Sequence, residues 1–182
     1  PCEREGRRIR VTPAPLTPGG PVLMLGGSSA AAARRAARCG LGFLAQASAD
    51  DLEQVYRDEC ARLGVEPGFC MVPPPGTVTA AFVAEDVDAA WREMGPHLLH
   101  DARMYTEWLA GGAAAVSTRA TTVDELRAEQ GAYRIFSVDE AVDYVRRNGF
   151  LVTQPLCGGL PPELAWRSLR LIAERVLPAL GG

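Results

Sequence analysis

Lysine is missing from this chain, and all 19 basic residues are arginine. Set against 22 acidic residues they leave a formal charge of −3, which gives no general attraction to nucleic acid. Alongside abundant Ala, Gly and Pro, the arginine bias reads as the signature of GC-rich coding rather than as a binding surface. No apolar run approaches the roughly 20 residues of a spanning helix. The opening stretch PCEREGRRIR lacks the apolar core of a signal peptide. Nucleic-acid and membrane partners are therefore not expected, and a cytoplasmic location is. The five cysteines are odd in number and never form a C-x-x-C pair, so neither a disulfide framework nor a zinc site is indicated. Also missing are a Ser-His-Asp pattern, a Walker loop and a G-x-G-x-x-G with a distal ribose-binding acid.

What is present is an ordinary globular composition, 47% hydrophobic and 23% charged over 182 residues. Residues 1 to 20 carry Pro13, Pro15, Pro18 and Gly19-Gly20, and are expected to be an extended lead-in that cannot form a helix. Because the chain begins with Pro and its opening is charged and irregular, it is expected to be a piece of something longer. Residues 21 to 182 read as one domain of alternating strands and helices. Val22 to Leu25 is expected as a strand apolar on both faces, Ala30 to Arg38 as a helix, and Gly42 to Ala45 as a second strand. A helix capped by Ser48, Asp50 or Asp51 runs to Gly64. A third strand spans Thr77 to Val83, and Asp86 caps a long helical stretch interrupted at Gly95-Pro96. Gly111 to Arg134 reads as a connection with one short helix, where Thr122 and Glu125 stand at capping-box spacing. Ser137 and Glu140 repeat that spacing before another helix. Phe150 to Thr153 is expected as the fourth strand, and an amphipathic helix starting at Pro161-Pro162 closes the chain. Four strand-then-helix units demand parallel pairing, as in a doubly wound sheet or about half of a (β/α)8 barrel.

The candidate site lies in Pro21 to Phe43. Gly26 and Gly27 would let a ligand approach the backbone, while Ser28 or Ser29 would cap a helix whose free N–H groups point at the same place. That pattern fits a phosphate, and it also fits a strand-to-helix turn with no ligand. Gln46, Ala47 and Ser48 would lie beside it if the two strands are neighbours. The pair Gly158-Gly159 is expected at the same end of the sheet, so that three loops converge on one face. Cys157 there reads better as a small buried turn residue than as a nucleophile. His97, His100 and Asp101 could suggest a metal site, but no further ligand cluster accompanies them and helix packing is the preferred reading. Arg34 and Arg35 could reach an anion or simply form a solvated helix face.

The blocks PVLMLGGSSAAAARRAARCGLGFL, TAAFVAEDVDAAWREMGPHLLHDARMY and LCGGLPPELAWRSLRLIAERVLPAL, in that order, resemble the luciferase-like flavin-dependent monooxygenase family, which includes deazaflavin-dependent oxidoreductases. The resemblance runs from about Thr12 to the end. It implies a TIM-type (β/α)8 barrel of which this chain is the C-terminal half, strands five to eight. It also implies an oxidoreductase using FMN or a deazaflavin coenzyme on a small organic substrate. The flavin phosphate would be held by Gly26, Gly27, Ser28 and Ser29, then by Gln46, Ala47 and Ser48. Leu41 departs from the acidic residue many relatives carry there. The usual catalytic residues belong to the first four strands, so none is named in this chain. The expected assembly is a homo-oligomer or association with a missing N-terminal half. The alternatives are a non-catalytic phosphate-binding α/β module or an inactive truncated fragment.

Overall fold

The computed structural model describes residues 2–9, 12–18, 20–46, 51–74, 76–109 and 116–181. Strands β1 (Cys2–Arg4) and β2 (Arg7–Ile9) pair antiparallel. Glu5 and Gly6 join them at φ 53° and 71°, the positive values a two-residue hairpin turn needs. Part of the expected extended lead-in is therefore a hairpin.

The first α/β unit comprises β3 (Met24–Gly27), α1 (Ala30–Arg38), β4 (Gly42–Ala45), α2 (Leu52–Leu63) and β5 (Cys70–Met71). Its strands form a parallel sheet in the order β3-β4-β5. The Ala/Arg run makes α1, since those residues have high helix propensity, and Ser29 caps it by accepting from the Ala32 N–H at 3.3 Å. Ala32, Ala33, Ala36 and Ala37 form one small-residue face that packs with Phe43, Ala45, Leu52, Tyr56 and Cys60. Across the two helices the buried Glu59 accepts from Arg38 Nε at 2.7 Å and from Arg62 at 2.9 Å. Those two guanidiniums hold its carboxyl down to about 2. Tyr56 donates to Leu41 O and accepts from Gly68 N, both at 2.9 Å, tying the approach to β5 onto α2. Gly64, at φ 67°, ends the helix.

The second unit comprises β6 (Ala80–Val83), α3 (Val87–Trp108), α4 (Val123–Glu129), β7 (Tyr133–Phe136), α5 (Val138–Asn148), α6 (Pro162–Leu171) and α7 (Leu177–Leu180). A π turn at Ile172–Val176 joins α6 to α7. β6 and β7 pair parallel, and apolar clusters cover both faces of the pair. Ala80, Phe82, Tyr133 and Ile135 pack with Trp91, Met94 and Leu98 of α3. Ala81, Val83 and Phe136 pack with Ala141, Val142 and Val176 on the other side. Thr122 and Ser137 each form a complete capping box, with Glu125 and Glu140.

These elements correct the expected half barrel. Among the described residues the parallel strands divide into a three-stranded and a two-stranded sheet that share no pairing, and no barrel segment forms. Phe150–Thr153 is not a strand, whereas Tyr133–Phe136, expected inside or beside a connection, is one. The free edge of β6 explains why a further strand does not extend that sheet. Its Ala81 N–H donates to Val152 O at 2.9 Å from irregular backbone, and its Val83 N–H donates to the buried Ser168 Oγ at 2.8 Å. A helix side chain thus takes the place of a strand. On the other side of the division, Pro73 and Pro74 come one residue after β5 and cannot donate to a ladder. Two further expectations shift. The first strand is Met24–Gly27, with Val22 and Leu23 exposed before it. The long helix α3 runs unbroken through Gly95 and Pro96, where Gly95 lies against Val123 of α4.

Candidate functional site

β3 and β4 lie side by side with Gly26 opposite Leu44 and Gly27 opposite Ala45, so both strands end at one place. Gln46 continues from β4, and its N–H donates to Gly27 O at 3.1 Å. A Cβ on Gly26 would stand 3.6 Å from Gln46 Nε2, so the Gln46 amide hangs over that glycine. Ser28 and Ser29 follow on the exposed turn into α1. Gly26, Gly27, Ser28, Ser29 and Gln46 are thereby brought together. Ala47, Ser48 and the expected cap Asp50 lie outside the described residues.

The individual roles are sharper than the sequence pattern. Gly27 sits within the strand, not in the turn, and a Cβ there would come within 2.4 Å of Ala32 Cβ. Its lack of a side chain serves the seating of α1 on β3. Ser29 Oγ is engaged by Ala32 N–H. What remains for a ligand is the Ser28 hydroxyl, the Gln46 amide and the first N–H groups of a nine-residue helix, which have no partner within the helix. Arg34 and Arg35 are exposed on α1.

The glycine pair Gly158-Gly159 does not join this cluster. Gly158, at φ 57°, fits against α3, where a Cβ would meet His97 O at 2.0 Å. Its N–H donates to Asp101 Oδ1 at 3.2 Å, and its carbonyl accepts from His97 Nδ1 at 3.2 Å. Asp101 Oδ2 also accepts from the Tyr133 hydroxyl at 2.8 Å. Tyr133 is the first residue of β7, so this loop is anchored at the amino end of the β6–β7 pair, opposite the end where the expectation placed it. Asp101 therefore acts as a structural clamp, which the sequence did not reveal because its two partners lie 32 and 57 residues away. Burial, with Asp101 alongside, pushes both the Tyr133 hydroxyl and the Cys157 thiol upward, so Cys157 is held as a neutral thiol. Among the described residues no group of three or more His, Cys, Asp or Glu side chains could hold a metal ion.

At the carboxyl end of β6 the fold forms a cavity of about 410 Å³ between the first turns of α3 and the last turns of α6. Val83, Ala84 and Met94 supply apolar walls, while Glu93 and Arg167 pair across it and Arg170 lies beside them. In the sequence these arginines have the character of the polar face of an amphipathic helix, so their place beside a cavity depends on tertiary packing.

No family model matches the chain, and no curated protein matches it. Among solved structures it is similar to the crystal structure of apo-MsnO8, at 22% identity and a TM-score of 0.48 over 93% of this chain and 55% of that one. The chain thus spans a little over half the length of that protein. Among the described residues no helix is long and apolar enough to cross a membrane.

Proposed function

We propose that the ends of β3 and β4 hold the phosphate of a flavin-type cofactor, FMN or a deazaflavin, and that the chain serves a luciferase-like oxidoreductase acting on a small organic substrate. The observation that carries this reading is the side-by-side ending of the two strands beside the start of α1, with Gln46 and Ser28 at the same point. Parallel α/β sheets place ligands at the carboxyl ends of their strands, and a helix N-terminus favours an anion there. The residues present fit a phosphate group. Ser28 can donate its hydroxyl proton, Gln46 its amide protons, and the first-turn backbone its N–H groups. Gly26 lets the Gln46 amide lie close against the end of β3. The bound flavin would supply the redox chemistry itself, hydride transfer or oxygen activation. The residues of this chain position its phosphate.

One observation favours a second reading, in which the segment is a packing turn without a ligand: Gly27 is already required by Ala32, and Ser29 by the helix cap. The two readings separate in one set of measurements. Fluorescence titration of the chain with FMN and with a deazaflavin, using inorganic phosphate as competitor, should show saturable binding that phosphate relieves. Ser28→Ala and Gln46→Ala should each weaken binding about 10- to 150-fold, the loss of roughly one hydrogen bond to a charged group. Binding of phosphate without either flavin would point to a non-catalytic phosphate module. No binding of any of the three leaves the packing turn, and then Gly27→Ala should lower stability and be partly rescued by Ala32→Gly, as direct contacts couple by about 0.5–3 kcal/mol.

A further inference from the structure

The cavity at the carboxyl end of β6 is lined by charges of both signs, and all but one of them are engaged. Glu93 of α3 pairs with Arg167 of α6. Glu85, just past β6, meets Arg175 at 3.9 Å. Asp86 Oδ1 accepts from the Ala89 N–H at 2.8 Å as the cap of α3. Arg170 comes between Arg167 and Arg175 along the helix and lines the same cavity. Among the described residues it has no ion pair or hydrogen bond. Much of the remaining lining is apolar, with Val83 and Ala84 from the end of β6, Met94 from α3 and Leu171 from α6. Ala84, Ala89 and Ala90 are small and leave a space of about 410 Å³, within the range of small-molecule sites. Parallel α/β folds bind ligands at this end of a strand.

We propose that this cavity binds a small carboxylic acid with an apolar body, its carboxylate on Arg170 and its body against Val83, Ala84 and Met94. The planar guanidinium fork matches a carboxylate through two parallel N–H···O bonds. A cation finds no carboxylate without a partner, since Glu85, Asp86 and Glu93 each have one. Those three carboxylates outnumber the two lining arginines, so the local field repels a phosphate dianion more than a monoanion. The cavity lies wholly in the second unit and is independent of the phosphate reading at β3 and β4.

Phenylacetate is the probe, with phenylacetamide as its neutral isostere and phenyl phosphate as a dianion of similar size. Titration of the full chain, labelled in its methionine methyl groups and followed by NMR, should give a saturable shift of the Met94 resonance with phenylacetate. Phenylacetamide and phenyl phosphate should each act there at least tenfold more weakly. Met94 reports this cavity alone, so phenyl phosphate bound at β3 and β4 is not mistaken for it. Arg170→Gln, at an exposed position, should weaken phenylacetate about tenfold or more and leave phenylacetamide unchanged. Ala89→Leu, which fills the cavity with a good helix former, should weaken both, and Trp166→Ala, on α6 outside the lining, should change neither. No saturable Met94 shift, equal binding of acid and amide, or wild-type affinity in Arg170→Gln would each overturn the proposal. Tighter binding of phenyl phosphate than of phenylacetate at Met94 would overturn the carboxylate assignment as well.

Discussion

Glu59 shows how much one residue can organise. It lies buried in α2 and takes arginines from two helices, Arg38 of α1 and Arg62 of its own. The local pair at i,i+3 was open to reading from the sequence, but the partner that matters for tertiary structure is 21 residues back and was not. Its carboxyl stands at about 2, below the ordinary value of 4.5, so it binds protons less readily in the folded state. The stabilisation is therefore complete above about pH 4.5 and is lost as pH falls toward 2. Urea unfolding of wild type and Glu59→Gln should differ most near neutral pH, and the gap should close on acidification through that window. A gap that persists unchanged at the lowest pH would mean that the carboxylate charge is not what holds α1 to α2.

At the scale of elements, local chemistry fixed helices better than strands. The boundaries of α1, α4 and α5 follow caps written into the sequence: Ser29, then Thr122 with Glu125, then Ser137 with Glu140. A cap is made by residues three apart, so short-range order suffices to specify it. Ser137→Ala should lower stability by about 1 kcal/mol in urea titration, with the far-UV spectrum preserved. Strands are different, since a run such as Tyr133–Phe136 becomes a strand only through pairing with Ala80–Val83, about fifty residues earlier. Phe150–Thr153 has comparable local character, yet only its Val152 carbonyl accepts from β6, and Ser168 takes the next free N–H. The unbroken α3 makes the same point: Gly95-Pro96 reads as a break, yet there the helix packs against Val123.

Apart from the β1–β2 hairpin, the most extensive contacts between described elements fall within the β3–β5 unit or within the β6–α7 unit, and each unit has its own apolar clusters. All three tryptophans, Trp91, Trp108 and Trp166, belong to the second unit. Denaturation followed by tryptophan fluorescence should therefore report that unit alone, and its midpoint should differ from the midpoint seen by circular dichroism of the whole chain. Coincident transitions at every denaturant concentration would show that the two units unfold as one.

The sequence by itself determined the α/β alternation, the capped helices, and the grouping of Gly26, Gly27, Ser28 and Ser29 at the entrance to α1. All of these rest on interactions between residues a few positions apart. Tertiary structure alone decided that the parallel strands form two sheets rather than one, that Gly27 answers to Ala32, and that Gly158 is held by Asp101 against α3. It also decided that Met24 and Met71 of the first sheet stand exposed. Those outcomes depend on hydrogen bonds and packing between distant segments, where an edge N–H can be taken equally by a strand carbonyl or a serine hydroxyl, and residue type does not say which.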